Sequence, residues 1–298
     1  MELEWKKIEV QDRALFLPYL YSLASRSAET TFANLYLWSR QYPTGYAVVG
    51  DFLVMKSLEE EVFAFPAGTG DLRKIVEALD AYQRERGQAL AFQCVTREQF
   101  AQLEALFPGR FQIEYDRDYA DYVYDAEKLA NLSGKKYHGK KNHVNKFQKQ
   151  YPDWSYEAMT ADNLEDCFQM ALIWRRENGC EEDVEKNAEM CVALNALRLF
   201  TELSMEGGVL RVGGEVVAFT LGEQACEDTF VVHIEKARAD IEGAYTMINQ
   251  QFVQHALLGK YKYVNREDDV GAEGLRKAKL SYHPAFMVDK GYVTEREG

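Results

Sequence analysis

Residues 208–222 read GVLRVGGEVVAFTLG, and this stretch indicates the fold more clearly than any other. Apolar residues alternate with other residues on both sides of Gly213 and Gly214. A Gly-Gly pair allows positive φ at both turn positions, which is the geometry of a two-residue β-hairpin. The stretch therefore predicts two antiparallel strands joined by a tight turn.

The same patterns extend from this hairpin in both directions through the second half of the chain. Period-two alternation predicts strands, and 3.6-residue spacing of apolar positions predicts helices. The predicted order is a strand at 154–159, helices at 163–178 and 184–203, the hairpin, a strand at 229–235, a helix at 244–258, a strand at 261–265, a helix at 273–281 and a strand at 285–292.

The first half shows a similar alternation. Strands are predicted at 5–10, within 46–56, and at 62–65, 89–95 and 111–124, with helices from residue 12 to about 25 and at 31–40. Asp71 and Thr96 are good N-caps for two further helices. We therefore expect an α/β protein with a mixed sheet, built from two consecutive modules at residues 1–126 and 127–298.

Composition limits the class of protein. The 298 residues are 47% hydrophobic, with no apolar run near the ~20 residues that span a bilayer. The N-terminus lacks the apolar centre of a secretory signal. Five scattered cysteines without a CxxC pair predict reduced thiols rather than disulfides or a zinc site. These features predict a cytoplasmic protein that binds no metal; the acidic run at residues 181–185 lacks the glycine and ligand spacing of a calcium loop.

One short segment differs in charge from the rest of the chain. The net charge is −13, yet residues 135–150 contain six lysines and no acidic residue. The candidate phosphate-binding groups of this segment are Lys136, His138, Lys140, Lys141, His143 and Lys146. Such a surface neutralises phosphates of an RNA or a lipid headgroup. A solvated helix face without a ligand explains the same pattern equally well.

Two further stretches contain candidate site residues. His233 and Glu235 alternate with apolar residues on one predicted strand, so we expect both on the same face, where a carboxylate can orient or deprotonate an attacking amine. A core histidine is the alternative for His233. The run Asn265, Arg266, Glu267, Asp268 and Asp269 follows a strand, where α/β sheets collect ligands. A capping loop is the alternative for this run.

Longer motifs carry a resemblance to a known family. They are YVYDAEKL from Tyr122, GKKYHGKKNHVNKF from Gly134 and NREDDVGAEGLRKAKLSYHP from Asn265. With the element order, they resemble a tandem GNAT acyltransferase fold of the Fem-type peptidyltransferases and the C-terminal domain of phosphatidylglycerol lysyltransferase. The similarity of fold covers nearly the whole chain, and the motifs are specific for a bacterial family that resembles this domain.

The resemblance implies roles for several residues. Lys279, Tyr282, Pro284 and Tyr292 are similar in order to residues that close the site of the lysyltransferase domain. Fem-type enzymes use a nearby lysine to stabilise the reacting carbonyl, and Lys279 or Lys277 is the counterpart. Tyr282 is then a candidate for returning a proton to the leaving group, although most of the 18 tyrosines must serve packing.

The resemblance also bears on the donor. GNAT enzymes that use acyl-CoA bind its pyrophosphate on an Arg/Gln-x-x-Gly-x-Gly/Ala loop that opens a helix, whereas this chain reads RADIEGA up to Gly243 and Ala244. Asp240 and Glu242 place carboxylates beside a helix N-terminus that attracts phosphate. An aminoacyl-tRNA donor is therefore favoured over acyl-CoA, with either acting as a co-substrate rather than a tightly bound cofactor.

These observations predict an acyl- or aminoacyltransferase that acts on an amine or hydroxyl acceptor, such as a small molecule or a lipid headgroup. The alternative is a non-catalytic module that binds a nucleotide or RNA on a degenerate GNAT scaffold. The transferase hypothesis requires that the lysine-rich segment, the strand that carries Glu235 and the stretch from Asn265 to Tyr282 meet in one place.

Overall fold

The computed structural model describes residues 3–296 and divides into two compact units. The first unit comprises the described residues of Met1–Asp121, Asp268–Glu273 and Met287–Gly298. The second comprises Tyr122–Glu267 and Gly274–Phe286. Between residues 3 and 296, no helix has both the length and the apolar character that a membrane span requires.

The elements alternate along the chain. Those that begin before residue 126 are β1 (Lys6–Lys7), α1 (Arg13–Ser22), α2 (Phe32–Trp38), β2 (Thr44–Val49), β3 (Phe52–Ser57), β4 (Phe63–Ala64), β5 (Ala67–Gly68), α3 (Leu72–Arg84), β6 (Ala91–Thr96), α4 (Arg97–Leu106) and β7 (Phe111–Asp125). The later elements are α5 (Ala126–Asn131), α6 (His138–Gln150), β8 (Ser155–Ala158), α7 (Leu164–Glu177), α8 (Val184–Arg198), β9 (Glu206–Val212), β10 (Glu215–Cys226), β11 (Thr229–Ala237), α9 (Ala244–Phe252), β12 (Tyr263–Asn265), α10 (Glu273–Leu280) and β13 (Phe286–Glu295).

The order of elements is duplicated. The sequence β1-α1-α2-β2-β3-β4-α3-β6-α4-β7 recurs as β8-α7-α8-β9-β10-β11-α9-β12-α10-β13, with β5 as an addition in the first copy. The strand orders β1-β2-β3-β4-β6 and β8-β9-β10-β11-β12 also correspond. In each, only the last pair, β4 with β6 and β11 with β12, is parallel. The mixed α/β class and the duplicated GNAT-like order predicted from the sequence are confirmed.

The last strand of each copy pairs in a way that sequence order does not predict. In the second unit, residues 123–125 of β7 pair antiparallel with β12. In the first unit, β13 pairs antiparallel with β6, with Lys290 opposite Thr96 and Val293 opposite Phe92. The first unit therefore needs the C-terminal strand of the chain, and the second unit needs the end of β7.

Local signals explain most element boundaries. Gly213 and Gly214 form the turn between β9 and β10 with φ of +60° and +84°, as the hairpin pattern predicts. The Asp71 carboxylate accepts hydrogen bonds from the amides of Arg73 and Lys74 and so caps α3. Thr96 and Gln99 form a capping box at α4.

Several predicted elements are longer than the observed ones, and three of them differ most clearly. The strand predicted at 5–10 is only Lys6–Lys7, because β1 is an edge strand that pairs with β2 over two residues. The helix predicted at 184–203 ends at Arg198. The helix predicted at 244–258 is α-helical only to Phe252 and continues as a π-helical turn, Val253–Leu257.

Helix α6 is fixed by a narrow apolar stripe. Val144 and Phe147 are buried against Ala244, Met247 and Ile248 of α9 in one hydrophobic cluster of the second unit. The other positions of α6 are exposed, except for Lys140, which is half-buried. The burial of this stripe therefore decides which lysines face solvent and which one faces inward.

Candidate functional site

A buried ion pair lies at the centre of the candidate site, within the second unit. Glu235 on β11 accepts a hydrogen bond of 2.7 Å from Nη2 of Arg266, which follows β12 directly. The two side chains are only 9% and 13% exposed. Burial alone would lower the pKa of Arg266, but the Glu235 carboxylate together with Tyr282 and Tyr124 outweighs it, and the pKa is raised. The guanidinium is therefore a permanent cation in a largely desolvated position.

Asn249 of α9 completes the surroundings of Glu235. Its Nδ2 donates to Glu235 Oε2 at 3.1 Å, and the residue is 2% exposed. Its Oδ1 is buried and accepts no hydrogen bond from the described residues. A buried acceptor left unpaired costs free energy, so this oxygen marks a position suited to a donor group of a ligand.

Tyr282 covers the ion pair with its ring. It is 5% exposed, and its ring centroid lies 4.8 Å from the Arg266 guanidinium carbon. The ring of Tyr124 on β7 meets it edge-on at 6.3 Å, and the Tyr282 hydroxyl donates to Thr246 Oγ1 at 3.3 Å. Burial raises the pKa of Tyr282, so its hydroxyl stays protonated near neutral pH.

Two lysines approach the same ring and ion pair from different elements. Lys140 of α6 places its Nζ 3.9 Å from the centroid of the Tyr282 ring. Lys279 of α10 donates from Nζ to the backbone oxygen of Arg266 at 2.6 Å, and its own carbonyl accepts from the Tyr124 hydroxyl at 2.8 Å. Burial, together with the nearby Arg266 cation, lowers the pKa of Lys140 to about 8.

His233, also in the second unit, lies between the carboxylates of Glu223 and Glu267. Its Nδ1 is 2.7 Å from Glu267 Oε1, its Nε2 is 3.1 Å from Glu223 Oε1, and its side chain is 4% exposed. Burial alone would lower the pKa of His233, but the two hydrogen-bonded carboxylates raise it to about 10. An imidazolium with both nitrogens hydrogen-bonded is not a base, which argues against the proton-transfer role considered for His233.

The run from Asn265 to Asp269 does not act as one group of side chains. Asn265 is buried, and its Oδ1 accepts from the Glu267 amide at 2.7 Å, which shapes the turn in which Glu267 adopts a φ of +58°. Arg266 pairs with Glu235, and Glu267 is hydrogen-bonded to His233. Asp268 and Asp269 belong to the first unit.

In the first unit, Asp268 joins a buried charge cluster. The Lys290 ammonium is 2% exposed, pairs with Glu29, and lies 2.7 Å from Asp121 Oδ1 and 3.6 Å from Asp268 Oδ2. One oxygen from each of these three carboxylates lies within 4.8 Å of the others, a spacing that suits a metal ion. The Lys290 ammonium lies among these carboxylates and supplies one positive charge to the cluster. Asp269 is buried and accepts from the Gly271 amide at 3.0 Å.

The predicted phosphate-binding residues surround the start of α6 and of α9. Lys136, His138, Lys141, His143 and Lys146 are exposed, as is Lys277 on α10. Gly243 has a φ of +87° and precedes Ala244, the first residue of α9. The carboxylates of the preceding loop are paired, Glu242 with Lys146 at 2.6 Å and Asp240 with Arg238 at 2.7 Å. These cations lower the pKa of both carboxyl groups.

The sequence analysis missed four residues of this site, namely Tyr124, Glu223, Thr246 and Asn249. A signal existed for the last: Asn249, Gln250 and Gln251 form a polar run in a helix that is otherwise apolar, and all three are buried. Buried polar side chains inside a helix need partners, which points to hydrogen bonding within a site. Glu223 interrupts the apolar strand β10 in the same way.

Comparisons with known proteins give the family. The model for the phosphatidylglycerol lysyltransferase C-terminal domain matches residues 21–293. The solved structure of a conserved protein of unknown function from Bacteroides thetaiotaomicron has 37% identity and a TM-score of 0.93, covering 99% of this chain and 100% of that one. The L-PGS structure from Bacillus licheniformis has 15% identity and a TM-score of 0.58, covering 98% and 94%, which shows likeness of fold alone.

An uncharacterised protein from Mycoplasmoides gallisepticum is 25% identical over 179 residues, which are 58% of this chain. The match spans about half of that relative, 55% of its length. Because the family model covers most of the residues on which the fold and the site depend, the chain belongs to the family of the phosphatidylglycerol lysyltransferase C-terminal domain and has its acyltransferase-like fold.

Proposed function

We propose that the chain transfers an aminoacyl or acyl group from a phosphate-bearing carrier to an amine or hydroxyl, at the site in the second unit. The observation that carries this proposal is the convergence of Lys140, Glu235, Arg266, Lys279 and Tyr282 around one desolvated ion pair. Fixed charges in a desolvated position stabilise the charge that develops on a reacting carbonyl.

The residues support a division of labour. Glu235 is held by Arg266 and Asn249, so it orients the attacking amine or hydroxyl rather than deprotonating it. Lys279 lies beside the Arg266 carbonyl and polarises the acyl carbonyl. Tyr282, whose hydroxyl donates to Thr246, covers the ion pair with its ring and helps to keep the site desolvated. Catalysis then comes mainly from positioning and charge stabilisation.

An aminoacyl-tRNA is the donor we favour, with acyl-CoA as the other candidate. The family takes its name from a lysyltransferase that acts on phosphatidylglycerol. The exposed lysines of the α6 region offer positive charge to a polyanion. We propose a lipid headgroup or a small amine as the acceptor. The family name refers to a lipid, phosphatidylglycerol, and the Glu235 carboxylate can orient an amine or a hydroxyl.

The test is turnover. The protein is incubated with charged tRNAs, and separately with acyl-CoAs, in the presence of phosphatidylglycerol vesicles or small amines, and release of the free carrier is followed. We expect consumption of one donor class, and its loss in Lys279→Ala and Glu235→Gln. Lys277→Ala is the matched control, because that lysine is on the same helix but exposed. Consumption of no donor, or full activity in Lys279→Ala, would contradict the proposal.

A further inference from the structure

Most of the titratable groups of the site are bound to protein partners. Glu235 is paired with Arg266, His233 is held by Glu223 and Glu267, and Lys279 donates to a backbone carbonyl. Lys140 differs, since its Nζ forms neither an ion pair nor a hydrogen bond with any part of the described chain. Lys140 Nζ instead lies 3.9 Å from the centroid of the Tyr282 ring. An amine in this position can take up and release a proton without breaking a hydrogen bond or an ion pair.

The geometry also explains why this amine is held close to the ion pair. The burial of Val144 and Phe147 fixes the rotation of α6, so Lys140 faces inward while its neighbour Lys141 is exposed. The centroid of the Tyr282 ring lies 3.9 Å from Lys140 Nζ and 4.8 Å from the Arg266 guanidinium carbon. The charged groups that act on Lys140 are Arg266, which disfavours its ammonium form, and Glu235, which favours it.

We propose that the side-chain amine of Lys140 carries the proton during acyl transfer at this site. The inference rests on the proposed function and adds the group that moves the proton. The attacking nitrogen or oxygen bonds to the carbonyl carbon of the donor, and its proton passes to the neutral Lys140 Nζ. The bond from that carbon to the carrier oxygen or sulfur then breaks, and the Lys140 ammonium returns the proton to this leaving atom.

The lowered pKa of about 8 supports this role. A lysine that titrates near 8 is about one-tenth neutral at pH 7, whereas an ordinary lysine near ~10.4 is neutral in only about one molecule in 2,500. General acid–base catalysis is most effective when the pKa lies near the working pH. In this proposal, Lys140 rather than Tyr282 carries out the proton transfer that the family resemblance suggested for the tyrosine.

The rival role for Lys140 is that of a phosphate ligand, as the lysine-rich sequence suggests. The two roles respond differently to arginine. A guanidinium preserves the charge and binds phosphate well, but it cannot lose a proton in proteins. Lys140→Arg therefore keeps a phosphate-binding function and removes a proton-transfer function.

The first experiment needs no donor. Wild-type protein is labelled with trace acetic anhydride between pH 6 and pH 11, and acetylation of individual lysines is measured by peptide mass spectrometry, with the adjacent Lys141 as internal comparator. We expect the reactivity of Lys140 to rise with a midpoint within about one unit of 8. A midpoint at or above the ~10.4 of an ordinary lysine overturns the proposal, whatever the fate of the proposed function.

The second experiment uses the donor that the wild-type protein consumes. We expect kcat to rise with pH through an apparent pKa near 8, and Lys140→Arg to lower kcat by about 100-fold or more with little change in donor KM. Added methylamine should partly restore Lys140→Ala. A fully active Lys140→Arg variant overturns the proposal, and so does failure of the amine to rescue Lys140→Ala. If wild type consumes no donor, the proposed function fails, while the labelling result still reports on the amine.

Discussion

Arg266 and Glu235 form a buried ion pair at the centre of the candidate site, and removal of one partner leaves the other as an uncompensated charge. We predict that Arg266→Met lowers the free energy of unfolding by about 3–5 kcal/mol. The double variant Arg266→Met with Glu235→Gln should lose less free energy of unfolding than Arg266→Met alone, because the uncharged Gln leaves no buried carboxylate without a partner. Denaturant unfolding with a double-mutant cycle measures both effects.

The control for this cycle is an exposed pair in the same unit. Lys260 and Glu206 lie 3.2 Å apart with side chains 57% and 46% exposed. Exposed pairs contribute about 0–1 kcal/mol, so Lys260→Met should change stability little. Equal losses at the two pairs would show that burial does not determine the strength of the Glu235–Arg266 interaction.

The charge of His233 makes a pH-dependent contribution to stability. Its pKa of about 10 in the folded protein lies above the ~6.5 of an exposed histidine, so protonation favours folding. The contribution is fully present below pH ~6.5 and is lost as the pH rises towards 10. We predict that His233→Gln is most destabilising near pH 6 and progressively less so towards pH 10, as measured by urea unfolding of both proteins.

The exposed His138→Gln is the matched control, because removal of an exposed side chain usually changes stability by less than about 0.5 kcal/mol. A difference between wild type and His233→Gln that stays constant from pH 6 to pH 10 would contradict the assignment of His233 as a stabilising cation.

At the scale of the elements, helix α6 presents the lysines that we expect a polyanionic donor to contact. Lys136, Lys141 and Lys149 are exposed, whereas Lys146 is paired with Glu242. We predict that the triple Lys→Gln variant of the three exposed lysines weakens tRNA binding. The plot of log affinity against log salt should become less steep, by about 0.7–0.9 for each lost phosphate contact.

The control variant for tRNA binding replaces Lys6, Lys7 and Lys74, which are equally exposed but lie in the first unit. It has the same change in net charge. If both variants show the same salt dependence, general electrostatics rather than the α6 surface accounts for binding.

The contact between α6 and the start of α9 depends on a glycine. At Gly243, a Cβ atom would lie 3.1 Å from the His143 carbonyl oxygen and 3.2 Å from Phe147 Cβ, at a φ of +87°. Gly259 has a similar φ of +83°, but a Cβ there meets nothing within 4 Å. We predict that Gly243→Ala lowers the thermal unfolding midpoint more than Gly259→Ala, since both incur backbone strain and only the first disturbs helix packing. Equal midpoints would exclude a packing role for Gly243.

Local chemistry made many elements predictable. The Gly213-Gly214 turn and the caps at Asp71 and Thr96 act over two to four residues, so the sequence alone specifies them. The inward orientation of Lys140 was not predictable, because it follows from packing of Val144 and Phe147 against α9, more than 90 residues later in the chain. The lysine run looked like a uniform solvated face for the same reason.

At the scale of the whole molecule, neither unit is a continuous segment of the chain. We predict that residues 1–126 expressed alone are unfolded or aggregated, because β6 then lacks β13 and the Asp121 carboxylate lacks the Lys290 ammonium. A chain that joins residues 1–121 through a flexible linker to residues 287–296 should give a better dispersed amide NMR spectrum. A well-folded 1–126 fragment would show that β13 is dispensable for the first unit.

The sequence did not predict that β13 pairs with β6 or that the end of β7 pairs with β12. Alternation identified β7 and β13 as strands, but period-two patterning carries no information on which neighbour a strand selects. The Lys290 cluster was missed because its members Glu29, Asp121 and Asp268 are distant in sequence, and nothing in the pattern indicates that they meet. Part of the candidate site had a local signal, because Glu235 lies on β11 and Arg266 follows β12 directly.

The separation of β6 and β13 along the chain has a consequence for synthesis on the ribosome. The open flank of β6 emerges long before its antiparallel neighbour β13 is made. At about 5–20 residues per second, the intervening ~190 residues take roughly 10–40 s to translate. During that interval the nascent chain exposes an unpaired strand edge, which is a template for mispairing. Nascent-chain chaperones should therefore engage this protein until β13 has emerged and paired with β6.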